Sequence, residues 1–408
     1  MIKIIDKRII LSKLISPRRD FKRPIYNWHS FKHSYSKELV DTFIKEFELK
    51  KGSWVLDPFC GGGTTLLASK QAGLNSNGYD ILPFSVFLSN VKTDEHDLQR
   101  LKDVRKKFQK IDGNINTSFV LPNLSIAQKA FRPKIEEQLF QIKERVNIID
   151  DITTRNFFNL AFLSILELVS NTSKTGGFLR IVNNKFITDK VWPTFLNRVD
   201  AMIKDVEQSK LSLQKNVTTK AFYSDAREIN SEIQYNAIIT SPPYPNRHDY
   251  TRIYALELMF DFVKSNDEIK QIRYETLRSH VEARKKYEAE NYIQPKPLNK
   301  MIKQIKKNGV NNLKVTEMLE GYFEDMYLAL SQMKQRLKKQ GKIALVVSNV
   351  RFSGVNIPVD ELLANIGEQT GLKTKGIWLA RNRGNSAQQV NEYCRKPSRE
   401  SIIIWEKK

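Results

Sequence analysis

Three adjacent glycines follow a short apolar strand and precede a helix, and this order limits the folds open to the chain. The strand is predicted at Trp54–Asp57, the turn contains Gly61, Gly62 and Gly63, and the helix is predicted at Leu66–Ala72. Glycines let a ligand lie against the backbone, beside the unpaired N–H groups of a helix N-terminus. Strand, glycine-rich turn and helix together predict the start of a βαβ unit, and hence an α/β fold with a parallel sheet.

A second predicted strand, Asn77–Asp80, ends in an acidic residue, Asp80. It lies about 20 residues beyond the loop, the spacing at which a carboxylate meets ribose hydroxyls in dinucleotide-binding folds. No lysine follows the last glycine, so the turn is not a P-loop, and it lacks the G-x-G-x-x-G form of NAD sites. We therefore expect a nucleoside ligand without a demanding phosphate group.

A proline-rich segment follows another predicted strand near the middle of the chain. Tyr235–Ile239 is an apolar run typical of a buried strand, and Ser241, Pro242, Pro243 and Tyr244 come shortly after it. Since proline cannot donate to a sheet ladder, the strand must end here, at the edge where ligands bind in open α/β sheets. A hydroxyl, rigid carbonyls and an aromatic face suit a planar ring that bears an amino group.

Charge and cysteine content narrow the class of protein. The 408 residues carry a formal net charge of +22, which favours a polyanion such as nucleic acid as the partner. Cys60 and Cys394 are too few for a disulfide framework. The most apolar run, Phe157–Val169, is too short to cross a bilayer, and no His/Cys cluster has metal-ligand spacing. We expect a cytoplasmic protein without a membrane span or a metal.

Two insertions separate the segments that carry the motifs. The basic residues of the N-terminal segment and of the second insertion can contact phosphates or form solvated faces, and the pattern leaves both open. The expected division is an extended basic arm at 1–28, a cofactor-binding half at 29–93, a helical insertion at 94–217, a catalytic strand and helix at 218–263, a basic insertion suited to target recognition at 264–318, and the rest of the sheet at 319–408.

The segment Asp57–Thr65, taken together with Ser241–Tyr244, resembles the amino-methylating DNA methyltransferases. These enzymes transfer a methyl group from S-adenosylmethionine to an exocyclic amine of cytosine or adenine, and the Ser-Pro-Pro-Tyr form is most similar to the N4-cytosine enzymes of restriction–modification systems. The resemblance implies a Rossmann-like methyltransferase fold with a seven-stranded, mostly parallel sheet whose last strand is antiparallel. It also implies double-stranded DNA as the substrate and leaves open a separately encoded restriction endonuclease as partner.

The resemblance assigns cofactor-binding roles to individual residues. Asp57 would orient the methionine part of the cofactor, which the loop from Phe59 to Gly63 would border. Asp80 would hold the ribose hydroxyls, Asp225 would lie near the adenine amino group, and Ile81 would lie against the adenine ring.

The expected chemistry follows from the weakness of the target amine, whose lone pair is delocalised into the cytosine ring. The Ser241 hydroxyl and the Pro242 carbonyl would accept hydrogen bonds from the two N–H groups of the amine. These bonds would draw the nitrogen toward a tetrahedral geometry. Tyr244 would stack on a base flipped out of the duplex, and Pro243 keeps the turn rigid. Methylation at C5 of cytosine needs a cysteine nucleophile beside the base. Cys60 lies in the cofactor loop, where we expect a packing residue, and Cys394 lies in a late basic loop, so this chemistry is excluded.

Four arginines near the motifs are candidates for DNA binding: Arg247 and Arg252 follow the proline motif, whereas Arg381 and Arg383 lie between the last two predicted strands. The glycine loop precedes the proline motif and no separate recognition domain follows the sheet, so one of the insertions is expected to read the target. Three alternatives stay open: an adenine-N6 methyltransferase, an RNA base methyltransferase, and a nucleic-acid-binding protein with a vestigial cofactor site.

Overall fold

The computed structural model describes residues 2–108, 121–122, 126–175, 177–183, 185, 187–209, 216–309, 312, 314–383 and 397–408. Its strands are β1 (Ile4–Asp6), β2 (Trp54–Asp57), β3 (Asn75–Asp80), β4 (Thr172–Thr175), β5 (Phe178–Ile181), β6 (Thr219–Tyr223), β7 (Tyr235–Thr240), β8 (Leu337–Ser348), β9 (Val350–Phe352), β10 (Val355–Ile357), β11 (Leu372–Arg383) and β12 (Ser398–Lys407).

The helices lie between these strands and in the two insertions, and short 3₁₀ turns occur at Pro17–Lys22 and Tyr26–Trp28. They are α1 (Arg8–Leu11), α2 (Lys37–Glu46), α3 (Thr64–Gln71), α4 (Pro83–Thr93), α5 (Leu98–Lys107), α6 (Ala127–Ala130), α7 (Pro133–Asn147), α8 (Ile152–Ile165), α9 (Val191–Ser209), α10 (Tyr250–Ile253), α11 (Ala255–Asp261), α12 (Asn266–Glu275), α13 (Lys296–Lys307), α14 (Lys314–Arg336) and α15 (Val359–Gln369).

The central sheet has eight strands in the order β1-β11-β12-β8-β7-β2-β3-β6. β12 runs antiparallel to both of its neighbours, and the other neighbouring pairs are parallel. This arrangement confirms the Rossmann-like α/β fold, the mostly parallel sheet and the antiparallel last strand. The expected count of seven strands is one too low, because β1 adds an edge strand that pairs Ile4 with Ile377.

The N-terminal segment is folded against the rest of the protein, so its prediction as an extended arm is wrong. Residues Pro17–Lys22 form a 3₁₀ turn that buries Asp20. The Asp20 carboxylate accepts a hydrogen bond from the Lys37 backbone N–H (2.9 Å) and pairs with Arg23 (3.1 Å), which also contacts Glu38 at 2.5 Å. A count of charges within residues 1–28 leaves out Glu38 of α2, which pairs with Arg23. The count therefore indicated an unpaired basic segment.

Both faces of the sheet are covered, as a mostly parallel sheet requires. Side chains alternate along β7: Ile238 packs with α14 and α15, whereas Ala237 and Ile239 pack with α2 on the other face. The helical insertion packs onto the rest of the protein in a third cluster, in which Phe157 of α8 and Phe195 of α9 are fully buried together with Phe84 of α4 and Leu256 of α11. It also contains the hairpin β4–β5.

The sheet brings the motif-bearing strand ends to one edge. β2 lies between β7 and β3, and all three are parallel, so their carboxyl ends meet. Because β12 is antiparallel, its first residues reach the same edge, where Glu400 pairs with Ser348 of β8 and with Arg381 of β11. Among the described helices, none has the length and apolar character needed to cross a membrane.

Candidate active site

Two adjoining cavities open at the carboxyl edge of the sheet. The first contains about 960 Å³ of empty space including its open mouth, and the second contains about 500 Å³ on the same basis. Ser241 lines both cavities, as do His33, Ser34 and Tyr35 from the segment before α2. The motif serine therefore lies where the two cavities adjoin.

The glycine loop is shaped by an aromatic ring that lies directly over it. Gly61 and Gly63 have φ angles of +47° and +75°, which favour glycine. A Cβ atom would stand 2.9 Å from the Phe31 ring at Gly61 and 2.8 Å from the Phe31 Cβ at Gly62. Phe31 in turn stacks on Tyr254, with a centroid distance of 4.7 Å. The loop thus needs glycines for close packing as well as for its backbone angles.

Asp80 ends β3 on the wall of the first cavity and braces the glycine loop. Its carboxylate accepts hydrogen bonds from the backbone N–H groups of Gly61 and Leu82, both at 2.9 Å. Burial raises the pKa of Asp80 to about 6. Each carboxylate oxygen has two lone pairs, so Asp80 can still accept ribose hydroxyls. Ile81 lines the same cavity with an apolar side chain.

Asp57 ends β2 and is 2% exposed. It accepts hydrogen bonds from the Thr240 hydroxyl (2.6 Å), the Tyr35 hydroxyl (3.2 Å) and the Phe59 backbone N–H (3.2 Å). Burial raises its pKa to about 6, although these donors act in the opposite direction. The Thr240 bond connects the strand before the glycine loop to the strand before the proline motif. Phe59 lies on the wall of the first cavity as well.

Asp225 lines the first cavity, and its carboxylate already has partners. It forms an ion pair with Arg227 at 2.7 Å and accepts a hydrogen bond from the Tyr287 hydroxyl at 3.1 Å. Tyr287 belongs to the second insertion, which also contributes Leu277 to the cavity wall. This insertion therefore helps to build the cavity, a role that its basic composition did not suggest.

The proline motif leads into the second cavity, where four polar side chains form a chain of contacts. The Ser241 hydroxyl lies 3.2 Å from the Val346 carbonyl and 3.3 Å from the Tyr244 hydroxyl. Tyr244 donates to Glu400 at 3.3 Å, and Arg381 Nε donates to the same carboxylate at 2.5 Å. When Ser241 donates to Val346, its oxygen lone pairs are free to accept hydrogens from a ligand.

The remaining candidate residues have varied surroundings. Pro242 is buried at the end of β7, and Pro243 lines the first cavity. Arg247 is exposed, and Arg252, half exposed, pairs with Asp249 at 3.2 Å and with Glu282. Arg383 closes β11, and its side chain lies outside the described part of the structure.

The surroundings of Cys60 are those of a packing residue. Cys60 is buried 3.7 Å from the Ser89 hydroxyl, and burial raises the pKa of its thiol. Cys394 lies outside the described residues. Within the described ranges, no group of three or more His, Cys, Asp or Glu side chains is arranged to hold a metal ion.

Three residues of this site were missed by sequence reasoning: Phe31, Tyr35 and Glu400. The first two lie in a short irregular segment without helix or strand periodicity, and the third is one acid within a basic stretch. A weak signal existed for Glu400, because a carboxylate at the start of an apolar strand is an unfavourable choice unless it has a partner.

The first cavity fits S-adenosylmethionine. Gly61 and Gly62 lie on its wall beside Phe31, and two carboxylates, Asp57 and Asp80, line it as acceptors for a cation and for hydroxyl groups. Asp80 would hold the ribose, and Asp57 would hold the cationic methionine end. The apolar side chains of Ile81, Ala226 and Leu277 offer packing surface for the adenine ring.

Comparisons with known proteins identify the family of this chain. A family model described as DNA methylase matches residues 14–89. The type II methyltransferase M.BsoBI of Geobacillus stearothermophilus is 33% identical, with 97% of this chain and 88% of that protein covered. M.AvaI of Nostoc sp. is 31% identical, with 97% and 89% covered, and M.MvaI of Kocuria varians is 23% identical, with 82% and 80% covered. The chain belongs to the amino-methylating (N4/N6) type II DNA methyltransferases, and its cofactor is S-adenosylmethionine.

Proposed function

We propose that the protein methylates the exocyclic N4 amine of cytosine in double-stranded DNA, as the modification enzyme of a restriction–modification system. The observation that carries the proposal is the position of Ser241, which lines both cavities and faces the Val346 carbonyl at 3.2 Å. The cofactor would occupy the first cavity and a flipped cytosine the second. The names of the relatives, all type II methyltransferases, support the restriction–modification setting.

The second cavity would hold the amine so that its lone pair can react. Ser241 Oγ and the Pro242 carbonyl accept the two amine hydrogens, which shifts the nitrogen toward a tetrahedral geometry. Tyr244 stacks on the base, and its hydroxyl is held by Glu400. S-adenosylmethionine, when bound, supplies an electrophilic methyl group on a sulfonium centre. Catalysis then comes mainly from positioning and from the arrangement of charge.

In the first cavity, the three carboxylates would each contact a different part of S-adenosylmethionine. Asp80 would bind the ribose hydroxyls, and Asp57 would orient the methionine part beside Phe59 and the glycine loop. Asp225 would approach the adenine amino group while it remains paired with Arg227. All three carboxylates line one cavity, which supports a single extended ligand there.

DNA binding would rest on the positive charge of the chain, +22 in total. Arg247 and Arg252 follow the proline motif in sequence, and Arg383 ends β11 at the edge where the cavities open, so these side chains are candidates for phosphate contacts. Residues 264–318 are the candidate target-recognition segment, since the exposed face of α13 carries five lysines: Lys296, Lys300, Lys303, Lys306 and Lys307. Flipping the target base costs a few kcal/mol, which these contacts would offset.

The identity of the modified base tests this proposal. Duplex DNA is incubated with the protein and S-adenosylmethionine, digested to nucleosides and separated by chromatography with mass detection. We expect N4-methylcytosine from the wild-type protein and none from Ser241→Ala. Exclusive formation of N6-methyladenine would contradict the cytosine assignment, and transfer to RNA but not to DNA would contradict the substrate class.

A further inference from the structure

The second cavity contains a partly buried ion pair, Arg381–Glu400, whose arginine has no role in the methyl-transfer mechanism above. Glu400 is 3% exposed, and the Arg381 side chain is 27% exposed. The two residues are direct partners across the antiparallel pair β11–β12, so their side chains lie on the same face of the sheet. Both line the cavity that Ser241 and Tyr244 also line.

A β-bulge directs Arg381 toward this cavity. The register of β11 against β12 shifts between Leu379 and Arg381, which leaves Ala380 as the extra residue. A bulge of this kind re-aims the next side chain, and bulges are over-represented beside active sites. Without the shift, strand alternation would place Arg381 on the face occupied by Leu379.

The bond to Glu400 holds the guanidinium without using up its donors. A guanidinium carries five N–H groups, and the contact at 2.5 Å uses the one on Nε. The Nη groups can therefore donate to a ligand in the cavity. Because Glu400 also accepts from Tyr244, the same carboxylate sets the position of the stacking ring and of the arginine. Stability alone is a weak reason for such a pair, since buried ion pairs often add little.

The hydrogen-bonding edge of cytosine matches this arrangement. Next to its amine, cytosine presents two acceptors, the ring nitrogen N3 and the carbonyl O2. Ser241 and the Pro242 carbonyl accept hydrogen bonds from the amine. A different group must therefore donate hydrogen bonds to N3 and O2. Adenine presents one ring acceptor beside its amine and then a C–H, which cannot accept. A fixed guanidinium therefore distinguishes the two bases.

We propose that Arg381 is a specificity-determining residue that donates to N3 and O2 of the flipped cytosine, and that Glu400 is a positioning residue that aims it. The inference rests on the proposed function and adds how the enzyme selects its base. Removing Arg381 would remove the donor to N3 and O2 of cytosine. It would also leave the Glu400 carboxylate facing these two acceptors, which it repels.

The test compares cytosine with an analogue that lacks the O2 acceptor. Duplex oligonucleotides carry, at the target position, either cytosine or a 2-aminopyridine C-nucleoside, which keeps the amine and the adjacent ring nitrogen. Single-turnover methyl transfer is measured for wild type, Arg381→Met and Glu400→Gln. Lys375→Met serves as the matched control, because Lys375 lies on the same strand but is exposed and pairs with Glu406.

We expect the wild-type preference for cytosine over the analogue to fall about 10- to 100-fold in Arg381→Met, the range for a hydrogen bond to a charged group. Glu400→Gln should show a smaller fall, and Lys375→Met none. The ratio of the wild-type preference to the variant preference cancels the intrinsic difference in reactivity between the amines of cytosine and of the analogue. Calorimetric binding of S-adenosylmethionine should be unchanged in Arg381→Met, since Arg381 is not among the residues that line the first cavity.

Two results would count against the inference, and they are distinguishable. An Arg381→Met enzyme that forms N4-methylcytosine with an unchanged preference would overturn the inference and leave the proposed function intact. Detection of N6-methyladenine as the sole product of the wild type would overturn the proposed function and this inference together. If Arg381→Met fails to fold, Arg381→Lys provides the second variant, and its preference should also fall because a lysine lacks the planar fork.

Discussion

Tyr244 combines a ring and a hydroxyl whose contributions can be separated by substitution. The ring lines the second cavity, whereas the hydroxyl donates to Glu400 at 3.3 Å. We expect Tyr244→Ala to lower kcat/KM through loss of stacking worth ~1–3 kcal/mol. Tyr244→Phe should retain most of the activity, because it keeps the ring. Steady-state methylation of one duplex by all three proteins measures this, and equal activity of Tyr244→Ala and wild type would refute the role of the ring.

Asp57 and Asp80, on the wall of the first cavity, predict a pH dependence of cofactor binding. Burial raises the pKa of Asp57 and of Asp80 from 3.8 to about 6. The cationic sulfonium and the ribose hydroxyls favour the ionised carboxylates. Affinity for S-adenosylmethionine should therefore rise from pH 5 to pH 7 and level off above. Calorimetry across this range measures it, and Asp80→Asn should bind more weakly at pH 7.5 with a shallower rise.

The raised pKa values of Asp57 and Asp80 also predict that the protein without cofactor becomes less stable as the pH rises, whereas cofactor affinity increases. A carboxyl whose folded pKa lies above its unfolded value binds protons more tightly when folded. Its stabilising contribution is complete below pH 3.8 and is lost as the pH rises through about 6. Asp80→Asn cannot titrate, so its Tm should fall less than that of wild type between about pH 4.5 and pH 7.5. The comparison uses the change in Tm with pH and not Tm itself, because the amide nitrogen replaces one of the two oxygens that accept from Gly61 and Leu82. Equal changes in Tm for the two proteins would show that Asp80 does not titrate in this range.

At the scale of elements, the glycine loop and the segment before α2 form one packed unit. Gly62 is the useful position to test this, because its φ is not in the left-handed region and a Cβ there would lie 2.8 Å from the Phe31 Cβ. We expect Gly62→Ala to cost ~1–3 kcal/mol by overpacking and to weaken cofactor binding.

Phe31→Gly in the same chain should restore part of that loss, because it removes both the Phe31 Cβ that the added methyl group would meet at 2.8 Å and the ring behind it. Chemical denaturation of both single variants and the double variant gives the coupling energy. Strictly additive losses would show that Phe31 is not what demands a glycine at this position. Phe31 also stacks on Tyr254, so Phe31→Gly alone will carry a cost of its own.

Prediction at this scale succeeded where a local pattern defined an element. The strand Trp54–Asp57 is β2, as expected, and the strand at Tyr235–Ile239 is β7 with one further residue. The edge strand β1 was missed, since three residues in a basic segment carry no periodicity. Its pairing depends on β11, which follows more than 360 residues later in the chain.

At the scale of the whole molecule, the net charge of +22 predicts strongly salt-dependent DNA binding. A protein that contacts 6–10 phosphates loses about 10³- to 10⁵-fold in affinity between 50 and 200 mM salt. We expect a slope of this kind in fluorescence anisotropy with a labelled duplex. Cofactor binding, which takes place in a cavity, should change far less over the same range. A flat salt response would argue that the basic residues are largely neutralised by acidic partners, as Arg23 is by Asp20 and Glu38.

Sequence alone determined the features that depend on neighbours along the chain. The glycines between a strand and a helix, the acid that ends β3, and the prolines that stop β7 each follow from local backbone requirements. Together they indicated the α/β fold and a site for a planar ring that bears an amino group, and the resemblance to amino-methylating enzymes implied the chemistry. Charge composition, which needs no structure, indicated a nucleic-acid partner.

Tertiary structure decided which distant residues complete the site. Tyr244 and Glu400 meet although they are 156 positions apart, and Tyr35 reaches Asp57 from a segment without regular structure. Such contacts depend on the order of strands in the sheet and on the antiparallel course of β12, and hydrophobic periodicity encodes neither. The second cavity with its Arg381–Glu400 pair is therefore a property of the folded sheet edge, where the segment before α2 meets strands from the C-terminal part of the chain.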